Sequence, residues 1–375
     1  MNNKKVALVH DWLTGRRGGE KVLEVLSEIY PEAPIFTLFH FPGTQISKIE
    51  EKRIISSFIQ KMPFLKTKYR SYLPLYPVAA ELFDLQGYDM IVSSSHCIAK
   101  GIIPRPDALH VSYVHSPMRY AWNQYFSYFS KQRLNIFSRM LVPPIIHWLR
   151  IWDESSSRRV DHFIANSKTV AGRIYKYYRR ESEVIHPPVD VQLFRPGEKL
   201  KDYYLIVSAL VPYKRIDLAV EAFNRKGAIL NIVGMGPDYK KLRRQAKSNI
   251  RFLGQVSSQD LLKIYQEAKA LIMPGEEDFG INSLESQACG VPVIACGRGG
   301  ATETVVSGST GLFFRELNVK DLLSVLDKFE KLTFNKTEIR KNALKYSRKI
   351  FKQRISSFLE EKWNEFRNIK NDQKA

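Results

Sequence analysis

Two carboxylates, Glu277 and Glu285, stand eight positions apart in the segment PGEEDFGINSLESQACGVPVIA (residues 274–295). Phe279 and Gly280 follow the first, and a strand-like run over 291–295 lies behind both. Asn282 has a helix-capping side chain, so a helix is expected from about Ser283, with Glu277 in the loop ahead of it and Glu285 in its first turn. The loop amides around Gly280 and Ile281 would then point outward, and helix N-termini attract anions such as phosphate. Carboxylates repel phosphate, so Glu277 and Glu285 suit neutral hydroxyls, from which they accept hydrogen bonds. A diphosphate flanked by two polyhydroxylated rings, as in a nucleotide sugar, meets both demands. Either glutamate taken singly reads equally well as a solvated acid near a helix start. The string as a whole carries the chemistry.

Other turns offer groups of the same kind. Gly18 and Gly19 follow the strand-like run 5–10 and open a helical pattern, an arrangement that lets backbone approach a phosphate at a positive helix end. The Gly-x-Gly-x-x-Gly dinucleotide spacing is absent there, which disfavours NAD. Lys214 and Arg215 occupy the turn between strand and helix in VSALVPYKRIDLAVEAF (207–223). Gly234 and Gly236 in IVGMGP (232–237) leave room for a flat ring against backbone, and GRGGATE (297–303) supplies a further edge. His115 closes the run 110–115, at the carboxyl end where open sheets place ligands. Arg119, Tyr120 and Trp122 follow it and suit an acceptor groove, since guanidinium and aromatic faces bind sugars and pyrophosphates. Ser94-Ser95-His96 and Asn166-Ser167 are further strand-end candidates. Each of these segments also reads as an ordinary strand-to-helix turn.

The elements that must position these groups alternate. Strand patterns fall near 5–10, 35–39, 90–93, 110–115 and 162–166, and again near 204–208, 229–233, 250–253, 270–273 and 292–295, with helical patterns between them. That alternation predicts parallel sheets covered by helices: an α/β fold of two doubly wound, Rossmann-like domains. A chain of 375 residues suits two such cores. The proline-rich, aperiodic stretch 184–197 reads as their linker, placing the domains at 1–190 and 191–350. Residues 351–367 form an amphipathic helix with Ile355, Phe358, Leu359, Trp363 and Phe366 on one side.

The net charge of +20 calls for an anionic partner. Residues 131–180 hold eleven Lys/Arg against three acids, a net +8, with the apolar run 141–149 among them. The segment KMPFLKTKYRSYLPL (61–75) has the same mixture, which suits a headgroup–acyl boundary. No zinc-finger spacing or ribonucleoprotein-type aromatic string is present, so an anionic membrane surface is favoured over nucleic acid. Apolar runs are strand-sized and no secretory leader pattern opens the chain, which points to a peripheral protein in the cytoplasm. Three cysteines without metal-ligand spacing suggest neither disulfides nor a zinc site.

The segment 274–295, with its Glu-x7-Glu spacing, resembles the signature of retaining nucleotide-sugar glycosyltransferases of family 4. The resemblance extends over essentially the full length through Gly18-Gly19, Lys214, Gly234, Gly236 and His115. It implies the GT-B fold, two Rossmann-like domains facing a central cleft, with the donor on the second domain, the acceptor on the first, and the last helix crossing back to the first. It further implies that Glu277 holds donor-sugar hydroxyls, Glu285 the ribose, Lys214 the diphosphate, and that His115 contacts the donor sugar. Many members carry Arg where this chain has Ala209, so either Arg215 or an arginine of the first domain supplies the second positive charge, or the diphosphate is held by one cation and helix dipoles. The chain contains no Asp-x-Asp, and the resemblance implies retention without metal or other cofactor. SYVHSPMRYAW and PGEEDFGI look most like mannosyltransferases of bacterial O-antigen assembly, which implies GDP-mannose as donor and a polyprenyl-diphosphate-linked saccharide as acceptor. A UDP-sugar transferase, a nucleotide-sugar epimerase of the same fold, and a basic non-catalytic binding protein remain as alternatives.

Overall fold

The computed structural model describes residues 4–15, 18–129, 135–198 and 200–372. The chain divides into two compact units: unit 1 is Met1–Pro188 with Phe351–Ala375, and unit 2 is Val189–Ile350. Among the described residues unit 1 has seven strands: β1 (Val6–His10), β2 (Ile35–Thr37), β3 (Ile54–Ser56), β4 (Met90–Ser95), β5 (Leu109–Val114), β6 (His162–Ala165) and β7 (Glu183–Val184). Unit 2 has six: β8 (Tyr204–Val207), β9 (Leu230–Val233), β10 (Ile250–Gly254), β11 (Ala270–Met273), β12 (Val293–Cys296) and β13 (Gly311–Phe314). Every pairing between these strands is parallel. The chain thus forms two α/β units of the Rossmann type.

The strands are apolar runs because helices cover both faces of each sheet. All five residues of β1 are buried, as are all four of β11 and of β12. In unit 1 the helix Gly18–Ile29 buries Val22, Leu23, Val25 and Leu26 against β1 and β4 residues. Phe351, Ile355 and Leu359 of the helix Arg348–Asp372 complete that same core, so the last helix belongs to unit 1 from Phe351 onward. In unit 2 the helix Ile216–Lys226 buries Leu218, Ala219, Ala222 and Phe223 against β8 and β9.

Strand order carries the functional consequence. The first sheet runs β3-β2-β1-β4-β5-β6-β7 and the second β10-β9-β8-β11-β12-β13. The chain lays strands outward from β1 in one direction, then resumes beside β1 with β4 and continues the other way. Loops leaving the carboxyl ends of β1 and β4 therefore diverge, and a crevice opens between them. The same reversal lies between β8 and β11.

Three strands lack a counterpart in the sequence reading. β3 is three half-buried residues at a sheet edge, β7 takes Val184 from the segment read as linker, and β13 is a short run that begins with Gly311.

Candidate active site

At the reversal in unit 2, the turn Pro212–Lys214 follows β8 and the loop 274–280 follows β11. A Cβ on Gly275 would lie 2.6 Å from the Tyr213 carbonyl oxygen and 2.7 Å from that of Lys214, so the two loops are pressed backbone to backbone. This approach brings the Lys214 ammonium onto the Glu277 carboxylate as an ion pair, the side chains 15% and 17% exposed. Behind Glu277 the loop 297–300 closes in: Gly300 N–H donates to the Glu277 carbonyl at 2.8 Å, and a Cβ there would be 2.3 Å from Phe279 Cα.

The helix after Glu277 begins earlier than its sequence suggests. It spans Ile281–Ala288 and its cap is Gly280, at φ +82°. A side chain at 280 would meet Met273 and Glu277 as well as the left-handed backbone, which explains the glycine. Asn282 is not the cap; its side-chain amide donates to the Val207 carbonyl at 2.5 Å and ties the helix to β8. Glu285 consequently lies in the second turn rather than the first. It is 3% exposed and accepts a hydrogen bond from the Tyr265 hydroxyl at 3.1 Å.

Not every residue of the expected donor set faces the crevice. The Phe279 ring is buried with Val189, Leu284 and Tyr346, so it anchors the loop. Ile281 packs against that same cluster. Arg215 adopts a left-handed backbone (φ 52°) and its Nε donates to Asp217 at 3.2 Å, which draws the guanidinium along its own helix. Gly234 and Gly236 lie where Cβ atoms would come 1.9 Å from Ser208 O and 2.3 Å from Leu210 O, so both let the loop after β9 rest on the loop after β8.

At the reversal in unit 1, the carboxyl ends of β1, β4 and β5 assemble histidines. His115 follows β5; its Nε2 is 2.8 Å from Ser94 Oγ, and Ser94 Oγ is 3.1 Å from His10 Nδ1. Asn166 donates to the His115 carbonyl at 2.8 Å. A Cβ on Gly19 would lie 3.3 Å from His115 Nε2, so Gly19 gives the imidazole its place. Gly18 opens the helix beside it. Burial, reinforced by His96 and His10, pushes the His115 imidazole down to about 3, so the ring is neutral at neutral pH.

Asp11, His10 and His96 join this cluster, and only His96 was singled out by sequence. The available signal was the pair His10-Asp11 ending the strand that precedes Gly18-Gly19. Asp11 is wholly buried and accepts from four successive amides: His96 N at 2.6 Å and Cys97 N at 3.0 Å on one oxygen, Ile98 N at 2.6 Å and Ala99 N at 2.7 Å on the other.

The three residues read as acceptor-lining pack inward. Arg119 is buried. The Tyr120 hydroxyl lies 2.9 Å from Cys97 Sγ. Trp122 donates to Asp153 at 2.7 Å and stacks on Tyr177 at 4.6 Å. Asp153 also accepts from Tyr178 at 2.9 Å and pairs with the buried Lys100 at 3.0 Å. Through Asp153, Trp122, Tyr178 and Lys100 hold the helix Ile136–Ser156.

That helix has an apolar outer face. Ile136, Phe137, Met140 and Leu141 are 61–75% exposed, and Phe126, just before it in sequence, is 84% exposed. Phe64 is exposed beside Lys61, Lys66, Lys68 and Arg70. Lys131 and Arg133 of the basic stretch lie outside the described residues. Among the described residues no helix is long and apolar enough to cross a membrane.

Residues 18–193 match the domain family described as Glycosyltransferase Family 4, and residues 192–350 match Glycosyl transferases group 1. The two matches run consecutively through both units. The chain belongs to the group 1, family 4 glycosyltransferases. A family relative, an uncharacterised glycosyltransferase of Methanocaldococcus jannaschii, is 29% identical over 168 residues, 43% of this chain and 47% of that protein. The chain spans about half the length of the curated relatives it matches, or somewhat less. Among solved structures, sucrose-phosphate synthase of Thermosynechococcus elongatus superposes with TM-score 0.74 at 16% identity, over 96% of this chain and 100% of that one. Anabaena HepE in complex with UDP and glucose gives 0.70 at 18% identity, over 96% and 100%. These are GT-B glycosyltransferase folds, and the two parallel-sheet units here share that architecture.

Proposed function

We propose that this chain is a retaining glycosyltransferase, moving a hexosyl group from a nucleotide sugar to a saccharide on a polyprenyl diphosphate. The observation that carries this reading is the Lys214–Glu277 pair at the strand-order reversal of unit 2. A cation suited to a diphosphate and a carboxylate suited to hydroxyls sit together, beside a helix N-terminus capped by glycine. A nucleotide sugar carries diphosphate and hydroxyls within a few bonds of each other.

In the proposed reaction the bond from the sugar's anomeric carbon to the diphosphate breaks. The acceptor oxygen bonds that carbon on the same face, and its proton passes to the departing phosphate oxygen. Negative charge grows on the diphosphate, where Lys214 and the N-terminus of the Ile281–Ala288 helix stabilise it in the role a metal ion plays elsewhere. Glu277 accepts from donor-sugar hydroxyls. Glu285, oriented by Tyr265, takes the ribose, and the motif resemblance supports His115 as a donor-sugar contact.

The motif resemblance supports GDP-mannose as donor. A second reading, a UDP-sugar donor, is favoured by the UDP and glucose held by Anabaena HepE. The acceptor's lipid fits the exposed apolar side chains and basic residues of unit 1, and supports a peripheral location on an anionic, cytoplasm-facing membrane in surface-polysaccharide assembly.

The test is incubation of the purified protein with nucleotide sugars and a bacterial lipid extract, read by mass spectrometry. A lipid-linked saccharide one hexose heavier, with free nucleoside diphosphate and EDTA without effect, is expected. An isomerised nucleotide sugar formed without lipid would establish the epimerase reading instead.

A further inference from the structure

Unit 1 carries a groove at the β3 edge of its sheet. It lies between the face of β2 and β3 and the helix Tyr76–Glu81 with the segment that follows, and has a volume of about 700 Å³. That is the size of a small-molecule site. Among the described residues no further strand pairs with β3, so the groove stays open on that side. Its floor is apolar. Phe36 is buried and meets the Phe83 ring at 5.5 Å and the Tyr88 ring at 5.7 Å, both edge-on. Ile55 of β3 packs against the same cluster.

The two ends of the groove differ in character. Lys5 immediately precedes β1, Arg53 precedes β3 and Tyr88 comes just before β4, so all three stand at the amino ends of the strands. The histidine cluster lies at the other end of β1. Among the described residues neither the Lys5 ammonium nor the Arg53 guanidinium has an ion-pair or hydrogen-bond partner. Asp89, which accepts from the Lys5 amide, is paired with Arg105 at 2.5 Å. Asp84 lines the groove, and its Oδ1 accepts from the Gln86 amide at 3.1 Å. Two cations against one acid leave the lining with a net positive charge. At the far end Phe58 is 41% and Leu82 68% exposed, and Val78, one turn before Leu82, is 45% exposed. From Arg53 to Phe58 the chain covers roughly 16 Å at strand rise. Unpaired cations at one end and an apolar floor leading to exposed apolar side chains at the other match a negative head on a hydrocarbon chain. The lining comes from the face of the sheet rather than the edge amides of β3, which disfavours an added peptide strand.

We propose that this groove binds a single-chain amphiphile with an anionic head, a phosphate or a carboxylate. The head sits at Lys5 and Arg53, with the Tyr88 hydroxyl as a further donor. The chain lies over Phe36, Ile55 and Phe83 and leaves past Leu82 and Phe58. The site belongs to unit 1 alone, is independent of the transferase reading, and makes or breaks no covalent bond.

The test is calorimetric titration of the full chain with decyl phosphate below its micelle-forming concentration, with decyl glucoside, and with inorganic phosphate. Wild type should bind one decyl phosphate per chain, and the neutral lipid and the bare anion each at least about 10-fold more weakly. Lys5→Gln combined with Arg53→Gln should weaken decyl phosphate by about 10-fold. Leu82→Ser should weaken it by about 3- to 5-fold through the chain. Phe137→Ser with Met140→Ser and Leu141→Ser, on the other exposed apolar surface, should leave it unchanged. All these side chains are exposed, so Tm should hold throughout. Absence of binding, equal affinity for decyl glucoside or inorganic phosphate, or a loss confined to the triple variant would overturn the assignment. A dimer of the chain that Leu82→Ser dissociates would give the groove to a second copy and overturn it too. Nucleotide affinity, measured alongside, should be the same in every variant, so failure here leaves the transferase reading standing.

Discussion

Lys214 and Glu277, which follow strands β8 and β11, form an ion pair although they stand 63 positions apart in the chain. Two opposite charges are thereby stored at one point of the sheet, each neutralised by the other until a ligand offers better partners. A diphosphate would draw the ammonium and hydroxyls would draw the carboxylate. Lys214→Ala should therefore weaken nucleoside diphosphate binding by about 1.5–3 kcal/mol, the range for a charge-assisted hydrogen bond. Glu277→Gln should leave nucleotide affinity close to wild type and lower turnover by roughly 100-fold or more. Calorimetric titration and an initial-rate assay measure the two. Equal effects of both variants on nucleotide affinity would contradict this division of labour.

The pH dependence of stability follows from buried histidines. Burial pushes His10 down to about 4 and His110 down to about 3, from an ordinary 6.5. Below about pH 6.5 the unfolded chain binds protons that the folded chain refuses, so stability falls on acidification. Each histidine contributes about 1.4 kcal/mol per pH unit until its folded-state pKa is reached. Urea unfolding at pH 7, 6 and 5 should show this decline, and His110→Gln should reduce its slope by one histidine's share. A flat profile would show that these imidazoles are protonated in the fold.

Glycines in the site loops divide by what surrounds them. A Cβ at Gly300 would lie 2.3 Å from Phe279 Cα and 2.4 Å from Asp278 O, both backbone. Gly300→Ala should cost about 2–3 kcal/mol and displace the loop that carries Glu277, so both Tm and nucleotide affinity fall. Gly308, at φ +83° with nothing within 4 Å, provides the comparison. Gly308→Ala should cost only about 1 kcal/mol, with nucleotide affinity unchanged.

Much of the fold was legible because buried parallel strands are continuous apolar runs. The four buried residues of β11, Ala270–Met273, and the buried core of β4 and β5 stand out as such. The edge strand β3, half-buried throughout, gives no comparable signal. Within the candidate site, sequence singled out Lys214 and Glu277, which the structure pairs, but misjudged the helix start. Asn282 has the side chain of a cap, yet the crowding of Met273 and Glu277 around position 280 gives that role to glycine. Tyr120 and Trp122 were read as ligand groups because their partners, Cys97 and Asp153, are 23 and 31 positions away. Asp11 escaped notice for the same reason: its amide partners lie 85–88 positions along the chain. Residue types show which groups can do chemistry, and long-range contacts decide which of them are already satisfied.

The outer face of the Ile136–Ser156 helix makes a separate prediction. Replacing Phe137, Met140 and Leu141 together by Ser removes apolar surface from side chains that are 61–75% exposed. Co-sedimentation with phosphatidylcholine vesicles containing phosphatidylglycerol should weaken by about 2–3 kcal/mol. Tm should stay within the small range typical of surface changes. Wild-type protein that binds these vesicles no better than pure phosphatidylcholine would remove the anionic membrane as a partner.

The central claim is that unit 2 holds a nucleotide sugar between Lys214 and Glu277. Its most direct test is a thermal-shift panel of GDP, UDP, CDP, ADP and dTDP with their common sugars, run on wild type and Lys214→Ala. A ligand specific to the folded state adds about 2.7 kcal/mol of stability at a hundredfold over Kd. The account predicts a rise in Tm with one nucleotide class and its sugars, lost in Lys214→Ala; GDP-mannose would support the mannosyl reading and a UDP sugar the second. A wild-type Tm that moves with no nucleotide, or a shift that survives in Lys214→Ala, would contradict it.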